Sequence, residues 1–344
     1  MSATSAPPLD VLRLAEDLRR RGLGEGGELR LQALAGGQSN PTYRLQSGAW
    51  QCVLRTKPPG PLLPSAHAID REYRVMDALR ASDVPVPPML AYCDDASVIG
   101  REFYLMAFVE GRVFMDQSLP GLAPAERLAI YGEMNRVIAA LHAVDYRAVG
   151  LESFGKPGSY FNRQIGRWTR QCQASVLPLS ADMRSLMDWL PQHIPDDDET
   201  TLVHGDFRLD NLVFHPTEPR VLAVLDWELS TLGHPMADFA YHCMAWRIPA
   251  TLWRGVGGLD LQALGIPSEA EHLRAYVRRT GRDAGGHWEF YMAYNLFRMA
   301  AILHGIGERA AQGNAAAADA LETAGKAAPL AAIGWRCAQG AADT

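Results

Sequence analysis

The order of the predicted elements favours an α+β protein with two lobes, a small β-rich lobe followed by a larger helical one. Short runs of β-type residues are concentrated in the first third of the 344-residue chain. Segments with apolar residues at helical spacing fill the remainder. The one clear strand pair there carries a dense polar motif between residues 202 and 226. Because strands and helices are segregated, we expect an α+β arrangement with a ligand-binding cleft between the lobes.

The first lobe is predicted to span residues 1–110. It begins with an amphipathic helix over 9–22, which ends at a glycine. The runs "ELRLQALA", "TYRLQ" and "WQCVLRT" are typical of strands, and the glycine-led turn "GGQSNP" separates the first two. A Pro-rich loop, the helical pattern "AHAIDREYRVMDALRAS" and the extended segments "VPVPPMLAY" and "REFYLMAFVEG" follow.

The second lobe, residues 111–344, is predicted to be mainly helical. Its long segment "PAERLAIYGEMNRVIAALHAVD" has an apolar face at helical spacing, and six further helix-like segments follow it. The Ala-rich tail is predicted to be a packed terminal helix.

Composition excludes several classes of function. With 33 basic and 39 acidic residues the formal net charge is −6, which argues against general nucleic-acid binding. The five cysteines are scattered without a C-x-x-C pair, as in proteins with reduced thiols. No signal peptide and no run of about 18 apolar residues is present. We therefore expect a cytoplasmic protein, monomeric or homodimeric, that binds neither nucleic acid nor membranes.

The segment "HGDFRLDN" contains several closely spaced polar residues of the types used in catalysis and metal binding. His204, Asp206 and Asn211 lie on one loop after an apolar run, and Asp226 ends a second apolar run on a paired strand. The oxygens of Asn211 and Asp226 suit Mg²⁺, which shares its ligands with substrate phosphates. Asp206 is then available to accept a proton from a hydroxyl nucleophile. This spacing matches the catalytic loop and metal-binding aspartate of kinases.

Two other interpretations of this segment are open. Two strand ends with satisfied loops would give the same apolar and polar order. A metallohydrolase could use His204, Asp206 and His234, although the ligand set is sparse for a tightly bound metal.

The stretch "LVHGDFRLDNLVF…VLAVLDWELSTLGHPMADFA" resembles the aminoglycoside phosphotransferase and choline kinase-like superfamily. It is especially similar to the phosphotransferase-type domain attached to some acyl-CoA dehydrogenases. The resemblance extends from "GGQSNPTYRL" to "LFRMAAILHGIG". It implies a two-lobed protein kinase-like fold and transfer of the ATP γ-phosphoryl group, with Mg²⁺, to a small-molecule hydroxyl. It assigns Asp206 as the catalytic base, and Asn211 and Asp226 as metal ligands.

The resemblance also implies a nucleotide-positioning loop at "AGGQSNPTYRL". Gly36 and Gly37 would let the backbone approach phosphate closely, while Ser39 and Asn40 would offer hydrogen bonds.

Arg55 in "CVLRTK" takes the place of the strand lysine that holds phosphates in kinases. An arginine suits this role because its planar fork binds phosphate bidentately. Lys57, two residues further and on the same strand face, is the alternative. Glu72, on the following helix, is expected to pair with the phosphate-holding cation.

Family logic places backbone groups near Ala107, Phe108 and Val109 against adenine. Two other residues are expected to be structural: His204 would organise the catalytic loop, and Asp238 would hydrogen-bond its backbone.

Substrate recognition is expected from the helical lobe. In "SYFNRQIGRWTRQ", Arg163, Arg167 and Arg170 share one helical face, with Trp168 beside them. Such a cluster suits an acceptor with carboxylate or phosphate groups, and a solvated helix face is the alternative.

Two further arginines are candidates for the acceptor side. Arg208 would point toward the γ-phosphate or anchor an acidic neighbour, and Arg298 in "YNLFRMAAILHG" would face the cleft or a buried partner. An anionic hydroxyacyl compound is the preferred acceptor. The alternatives are an aminoglycoside or choline-type amino alcohol, and a pseudokinase that binds nucleotide without turnover.

Overall fold

The computed structural model describes residues 9–24, 27–34, 40–60, 67–312 and 320–340. The chain divides into two compact units. The first unit comprises Met1–Arg112, Val213–Pro216 and Leu222–Leu229. The second unit comprises Val113–Leu212, Thr217–Val221 and Ser230–Thr344. The first unit thus includes two short segments that lie more than 100 residues after the expected boundary at residue 110.

The first unit is built on a five-stranded antiparallel sheet in the order β1-β2-β3-β5-β4. Its strands are β1 (Arg30–Ala33), β2 (Thr42–Ser47), β3 (Trp50–Thr56), β4 (Met89–Cys93) and β5 (Phe103–Ala107). Its helices are α1 (Val11–Arg20), α2 (Ile69–Leu79) and α3 (Ala96–Ile99). The expected α+β segregation is confirmed.

The core of this unit follows from the alternation of its strands. Leu45, Leu54 and Leu105 are buried in one apolar cluster, and helix α1 contributes Leu14 and Leu18 to it. Each such side chain contributes about 1.5–3 kcal/mol when fully removed from water. Burial of this face therefore fixes which residues of β3 point to the core and which point away from it.

The second unit is helical, as predicted. Its helices are α4 (Pro124–Ala143), α5 (Tyr160–Ala174), α6 (Ala181–Trp189), α7 (Pro235–Arg247), α8 (Leu261–Leu264), α9 (Glu269–Thr280), α10 (Trp288–Ala311), α11 (Ala320–Ala324) and α12 (Ala327–Ala338). Helix α12, in the Ala-rich tail, buries Leu330, Ile333 and Cys337, so the predicted packed terminal helix is present. No helix within the ranges given above has the length and apolar character needed to cross a membrane.

Short strands position the polar motif of the sequence. The sequence predicts that the two apolar runs around the motif form one strand pair, but in the structure each run pairs with a different strand. Strand β6 (Thr201–Val203) pairs with β9 (Thr231–Gly233), and β7 (Leu212–Phe214) pairs with β8 (Val221–Val224). The motif loop therefore runs from the end of β6 to the start of β7. All five cysteines are buried and free, as expected for reduced thiols.

Candidate active site

Arg55 is the centre of an ion-pair network in the first unit. It lies on β3, opposite Thr42 and Tyr104 on the neighbouring strands. Its Nε is 3.0 Å from Oε2 of Glu72 on α2, so the expected ion pair is present. Its Nη2 is 3.0 Å from Oδ1 of Asp226. The guanidinium of this sheet residue is thus paired with the carboxylate of Glu72 on α2 and with the candidate metal ligand Asp226.

Glu72 is a buried carboxylate on the apolar face of α2. It is 1% exposed and accepts hydrogen bonds from Asn40 Nδ2 at 2.9 Å and from the Tyr104 hydroxyl at 3.0 Å. Burial raises its pKa to about 7, although Arg55 opposes the shift. Two donors and the charge of Arg55 hold this buried carboxylate in place, and the carboxylate in turn positions Arg55.

Lys57, the alternative phosphate-holding cation, has a different partner. Strand β3 ends at Thr56, and the Lys57 Nζ lies 2.8 Å from Oε2 of Glu102. Alternation along the strand does not apply beyond its last residue. Of the two cations, Arg55 is the one that contacts Glu72.

The other residues expected to bind nucleotide are only partly described. Gly36, Gly37 and Ser39 lie outside the described residues. The Asn40 side chain is buried and donates to Glu72, while its Oδ1 is 3.0 Å from His67 Nδ1. Asn40 therefore belongs to the carboxylate network around Glu72, and its contact with a phosphate stays a prediction.

The segment expected to face adenine lies at the end of β5. The N–H of Ala107 donates to the carbonyl of Pro88 at 2.8 Å. The Arg44 guanidinium lies 4.5 Å from the centre of the Phe108 ring, and Val109 is half-buried. Contact with adenine at these three residues stays a prediction.

In the second unit, Asp238 holds the backbone of the motif loop. This buried carboxylate on α7 accepts the N–H groups of His204 and Gly205, each at 2.8 Å, and His142 Nε2 at 3.2 Å. Burial alone would raise the pKa of Asp238, but the hydrogen bonds and charge of His142, together with the loop contacts, lower it. Gly205 has φ +81°, a conformation that favours glycine. Asp238 thus has the structural contacts expected of it.

Asp206 follows this anchored turn and is held by three side chains. Its Oδ2 accepts from Asn211 Nδ2 at 3.0 Å and from Arg208 Nε at 3.1 Å. Its Oδ1 accepts from the hydroxyl of Tyr241. Asn211 Nδ2 also donates to the Asp206 carbonyl at 2.9 Å. The His204 ring accepts the Asp206 N–H at 3.2 Å, so this histidine shapes the loop as expected.

Arg208 contacts acidic neighbours, which is one of the two roles considered for it. Besides Asp206, it contacts Asp210 with Nη1 to Oδ2 at 3.2 Å. Arg254 approaches the same oxygen of Asp210 at 2.9 Å. Two arginines on one carboxylate make this part of the loop a charge-assisted network.

Helix α7 contributes a residue that sequence reasoning missed. Tyr241 lies three residues after Asp238, so the two side chains share a face of α7 and both reach the motif loop. This spacing is the signal that could have identified Tyr241. His142, the ring partner of Asp238, comes from the distant helix α4 and has no such local signal.

The arginines expected on the acceptor side fall into two environments. Arg298 on α10 is 6% exposed, and its Nη2 donates to the Gly205 carbonyl at 2.8 Å. On α5, Arg167 is exposed beside the Trp168 ring, with 5.0 Å between guanidinium carbon and ring centre. Arg163 donates to the Lys156 carbonyl. Among the described residues, Arg163 Nη1 and Trp168 Nε1 are buried donors that meet no acceptor.

The charges of these arginines affect the pKa values of two buried tyrosines. Burial raises the pKa of Tyr160, and the charges of Arg298 and Arg163 oppose the shift. Burial likewise raises the pKa of Tyr294, against the charges of Arg298 and Arg167. The positive charges of α5 and α10 therefore act on the same pair of rings.

The arrangement required for a histidine-based metallohydrolase is not seen. The His234 ring accepts the N–H of Met236 at 3.2 Å and lies 3.3 Å from Asp197. Across the described ranges, no three His, Cys, Asp or Glu side chains form a group that could hold a metal ion.

Comparison with known proteins supports the resemblance noted in the sequence. The sequence profile of the phosphotransferase enzyme family matches residues 30–294. Acyl-CoA dehydrogenase family member 10 of Mus musculus is 48% identical over 311 residues, which cover 90% of this chain and 29% of that protein. Member 11 of Homo sapiens is 45% identical over 300 residues, covering 87% of this chain and 38% of that one. The chain thus spans about a third of these relatives.

Solved structures confirm the predicted kinase-like fold. A Ralstonia eutropha structure, provisionally assigned as an aminoglycoside phosphotransferase, is 55% identical, with a TM-score of 0.89 and coverage of 98% of this chain and 100% of that one. A mutant of aminoglycoside phosphotransferase APH(4)-Ia, bound to AMP-PNP and hygromycin B, shares the fold at 17% identity. Its TM-score is 0.62, with coverage of 96% of this chain and 99% of that one. The matched profile, the relatives and the fold together show that the chain belongs to the phosphotransferase enzyme family.

Proposed function

We propose that this phosphotransferase moves the γ-phosphoryl group of ATP to a hydroxyl group of a small, anionic molecule, with Mg²⁺. The observation that carries the proposal is the fixed carboxylate of Asp206. It follows a turn anchored by Asp238 and is hydrogen-bonded to Asn211 five residues later. A carboxylate and a carboxamide in this relation form the catalytic loop of kinases.

Asp206 acts on the acceptor hydroxyl. Its carboxylate orients the hydroxyl and takes its proton as the oxygen attacks the γ-phosphorus. The bond between the γ-phosphorus and the bridging oxygen breaks, and ADP leaves. Catalysis rests mainly on positioning and on stabilisation of charge. Arg55, oriented by Glu72, is the side chain proposed to hold the phosphates.

The proposed metal ligands have suitable donor atoms. Asn211 uses Nδ2 to hold Asp206, so its Oδ1 is the group left for a cation. Asp226 adds a carboxylate, one oxygen of which accepts from Arg55. Oxygen donors are those that Mg²⁺ prefers. When bound, Mg²⁺ would neutralise charge on the phosphates.

The charges near Asp206 support an anionic acceptor. Arg208 contacts Asp206 directly, and Arg298 contacts the adjacent Gly205 carbonyl. Arg163 and Trp168 add buried donors without acceptors in the described chain, which the oxygens of a carboxylate or phosphate would satisfy. An aminoglycoside or amino alcohol would instead bring ammonium groups toward these cations. The acyl-CoA dehydrogenase relatives favour, by association, a hydroxyacyl compound and its CoA thioester.

A screen of acceptors tests this proposal. Hydroxy acids, hydroxyacyl-CoA thioesters, aminoglycosides and amino alcohols are incubated with ATP and Mg²⁺, and phosphorylated product is detected by mass spectrometry. We expect turnover with an anionic acceptor, and none for Asp206→Asn despite nucleotide affinity close to that of the wild type.

Three results would contradict parts of the proposal. Unchanged turnover of Asp206→Asn would reject the assignment of the base. A preference for cationic acceptors would reject the anionic class. Nucleotide binding without turnover on the whole panel would favour a pseudokinase.

A further inference from the structure

Among the described residues, the hydroxyl of Tyr241 is the hydrogen-bond donor found at Oδ1 of Asp206. Asn211 and Arg208 both donate to the other oxygen, Oδ2. A carboxylate has about four lone-pair directions in its plane. The two directions of Oδ2 are thus used, and one direction of Oδ1 remains for an incoming hydroxyl.

Tyr241 is itself held tightly in the second unit. It is 6% exposed, and the Arg298 guanidinium carbon lies 5.1 Å from the centre of its ring. Arg298 also donates to the carbonyl of Gly205, the residue before Asp206. One arginine therefore braces both the tyrosine ring and the turn that carries the carboxylate.

The protonation of Tyr241 suits a permanent donor. Burial and the negative charge of Asp206 raise its pKa well above the ordinary range, although Arg208 and Arg298 oppose the shift. Its phenol therefore stays protonated at neutral pH and donates to Asp206. The helix that carries Tyr241 also carries Asp238, so α7 fixes both the backbone of the loop and its reactive side chain.

We propose that Tyr241 is a positioning residue that fixes the rotation of the Asp206 carboxylate and leaves a single direction on Oδ1 for the acceptor hydroxyl. This inference rests on the proposed function. Without the phenol, Oδ1 loses its protein partner, and water takes the vacated direction beside the acceptor. Transfer to the acceptor then slows, and more of the ATP consumed is lost to water.

The test is Tyr241→Phe, which removes one oxygen and keeps the ring against Arg298. We expect kcat for the acceptor to fall by about 10- to 100-fold, the range for loss of a hydrogen bond to a charged group. The KM for ATP should stay within about twofold of the wild-type value, because the Tyr241 hydroxyl contacts the carboxylate of the base and none of the residues proposed to hold the nucleotide. The ratio of acceptor phosphorylated to ATP hydrolysed should fall as well.

Tyr131→Phe is the matched control. Tyr131 is fully buried on α4 in the same unit, and its hydroxyl donates to the Gln117 carbonyl at 2.7 Å. It loses the same oxygen and one buried hydrogen bond, so a general effect on packing appears in both variants. We expect its kcat and its ratio of product to ATP hydrolysed to match those of the wild type.

Each other outcome overturns the inference. Tyr241→Phe with the kcat and product ratio of the wild type would show that the hydroxyl does not position the base. An equal loss in both tyrosine variants, with lower melting temperatures, would assign the effect to packing. A wild type that phosphorylates no acceptor and hydrolyses no more ATP than Asp206→Asn would instead reject the proposed function, and the inference with it.

Discussion

Replacing Asp238 with asparagine should destabilise the second unit far more than an ordinary surface substitution. The change keeps the size of the side chain but removes its charge and turns one acceptor oxygen into a donor. Asp238 accepts the N–H of Gly205 on Oδ1, and the N–H of His204 and the ring of His142 on Oδ2. In either orientation the new NH₂ group faces at least one buried N–H.

The magnitude follows from these contacts. If the amide oxygen takes the Oδ2 position, the bond from Gly205 is lost and its buried N–H is left without an acceptor. A hydrogen bond to a charged group contributes about 1.5–3 kcal/mol, and an unsatisfied buried donor costs about 1–3 kcal/mol. These two costs partly describe the same loss and are not simply added, so we expect the free energy of unfolding to fall by about 2–4 kcal/mol.

Urea unfolding at pH 7, followed by circular dichroism and tryptophan fluorescence, measures this loss. Asp145→Asn is a matched control, because Asp145 also accepts two backbone N–H groups, from Arg147 at 3.0 Å and Ala148 at 3.2 Å, but is exposed. We expect this control to lose no more than about 0.5 kcal/mol. If Asp238→Asn loses less than about 1 kcal/mol, or no more than the control, the anchoring role is refuted.

The pH dependence provides a second check on Asp238. Its pKa is lowered in the folded protein, so its contribution is present above the ordinary carboxyl range and is lost as pH falls through the folded pKa. The difference in unfolding free energy between the wild type and Asp238→Asn should therefore be larger above the ordinary carboxyl range than below it. It should narrow as pH falls below about 4.

Two further predictions concern other parts of the molecule. Arg55→Met should raise the KM for ATP by about 10- to 100-fold, because charge-assisted contacts to phosphate are lost, whereas Lys57→Met should change it less than about threefold; equal effects in steady-state kinetics would contradict the assignment. Burial lowers the pKa of His242 to about 4, so the unfolded chain binds the extra proton between about pH 6.5 and 4, and the free energy of unfolding should fall as pH drops through that window. His242→Gln should reduce this slope in urea titrations at pH 4.5 and 7, and an unchanged slope would show that another group governs it.

Contacts between residues close in sequence or on regular elements could be predicted. The five-residue spacing of Asp206 and Asn211 placed them on one loop, and they are hydrogen-bonded there. The resemblance to kinases pointed to Arg55 on its strand and to Glu72 on the following helix, and the two form an ion pair. The alternation of side chains along β3 ends at Thr56. Lys57 was therefore wrongly assigned to a strand face, and its amino group pairs with Glu102.

Contacts made across the fold left little trace in the sequence. The ring of His142 contacts Asp238 although the two residues are 96 positions apart in the sequence, and no local pattern links them. Strands β6 and β9 have three residues each, which is too short for alternation to show. The resemblance to the family placed Asn40 on the nucleotide loop, but it gave no sign that the side chain donates to a buried carboxylate 32 residues away.

The first unit is made of segments that are far apart in the sequence, and this has a consequence for how it forms during synthesis of the chain. Its sheet and helices are encoded before Val113, but the segment that places Asp226 against Arg55 follows more than 100 residues later. At about 5–20 residues per second, a ribosome needs on the order of 5–20 s to supply it. During that interval the nascent sheet carries Arg55 and Glu72 without the third member of their network. A chain truncated at residue 112 would keep this incomplete state, so an excised amino-terminal fragment should be a poor substitute for the intact unit.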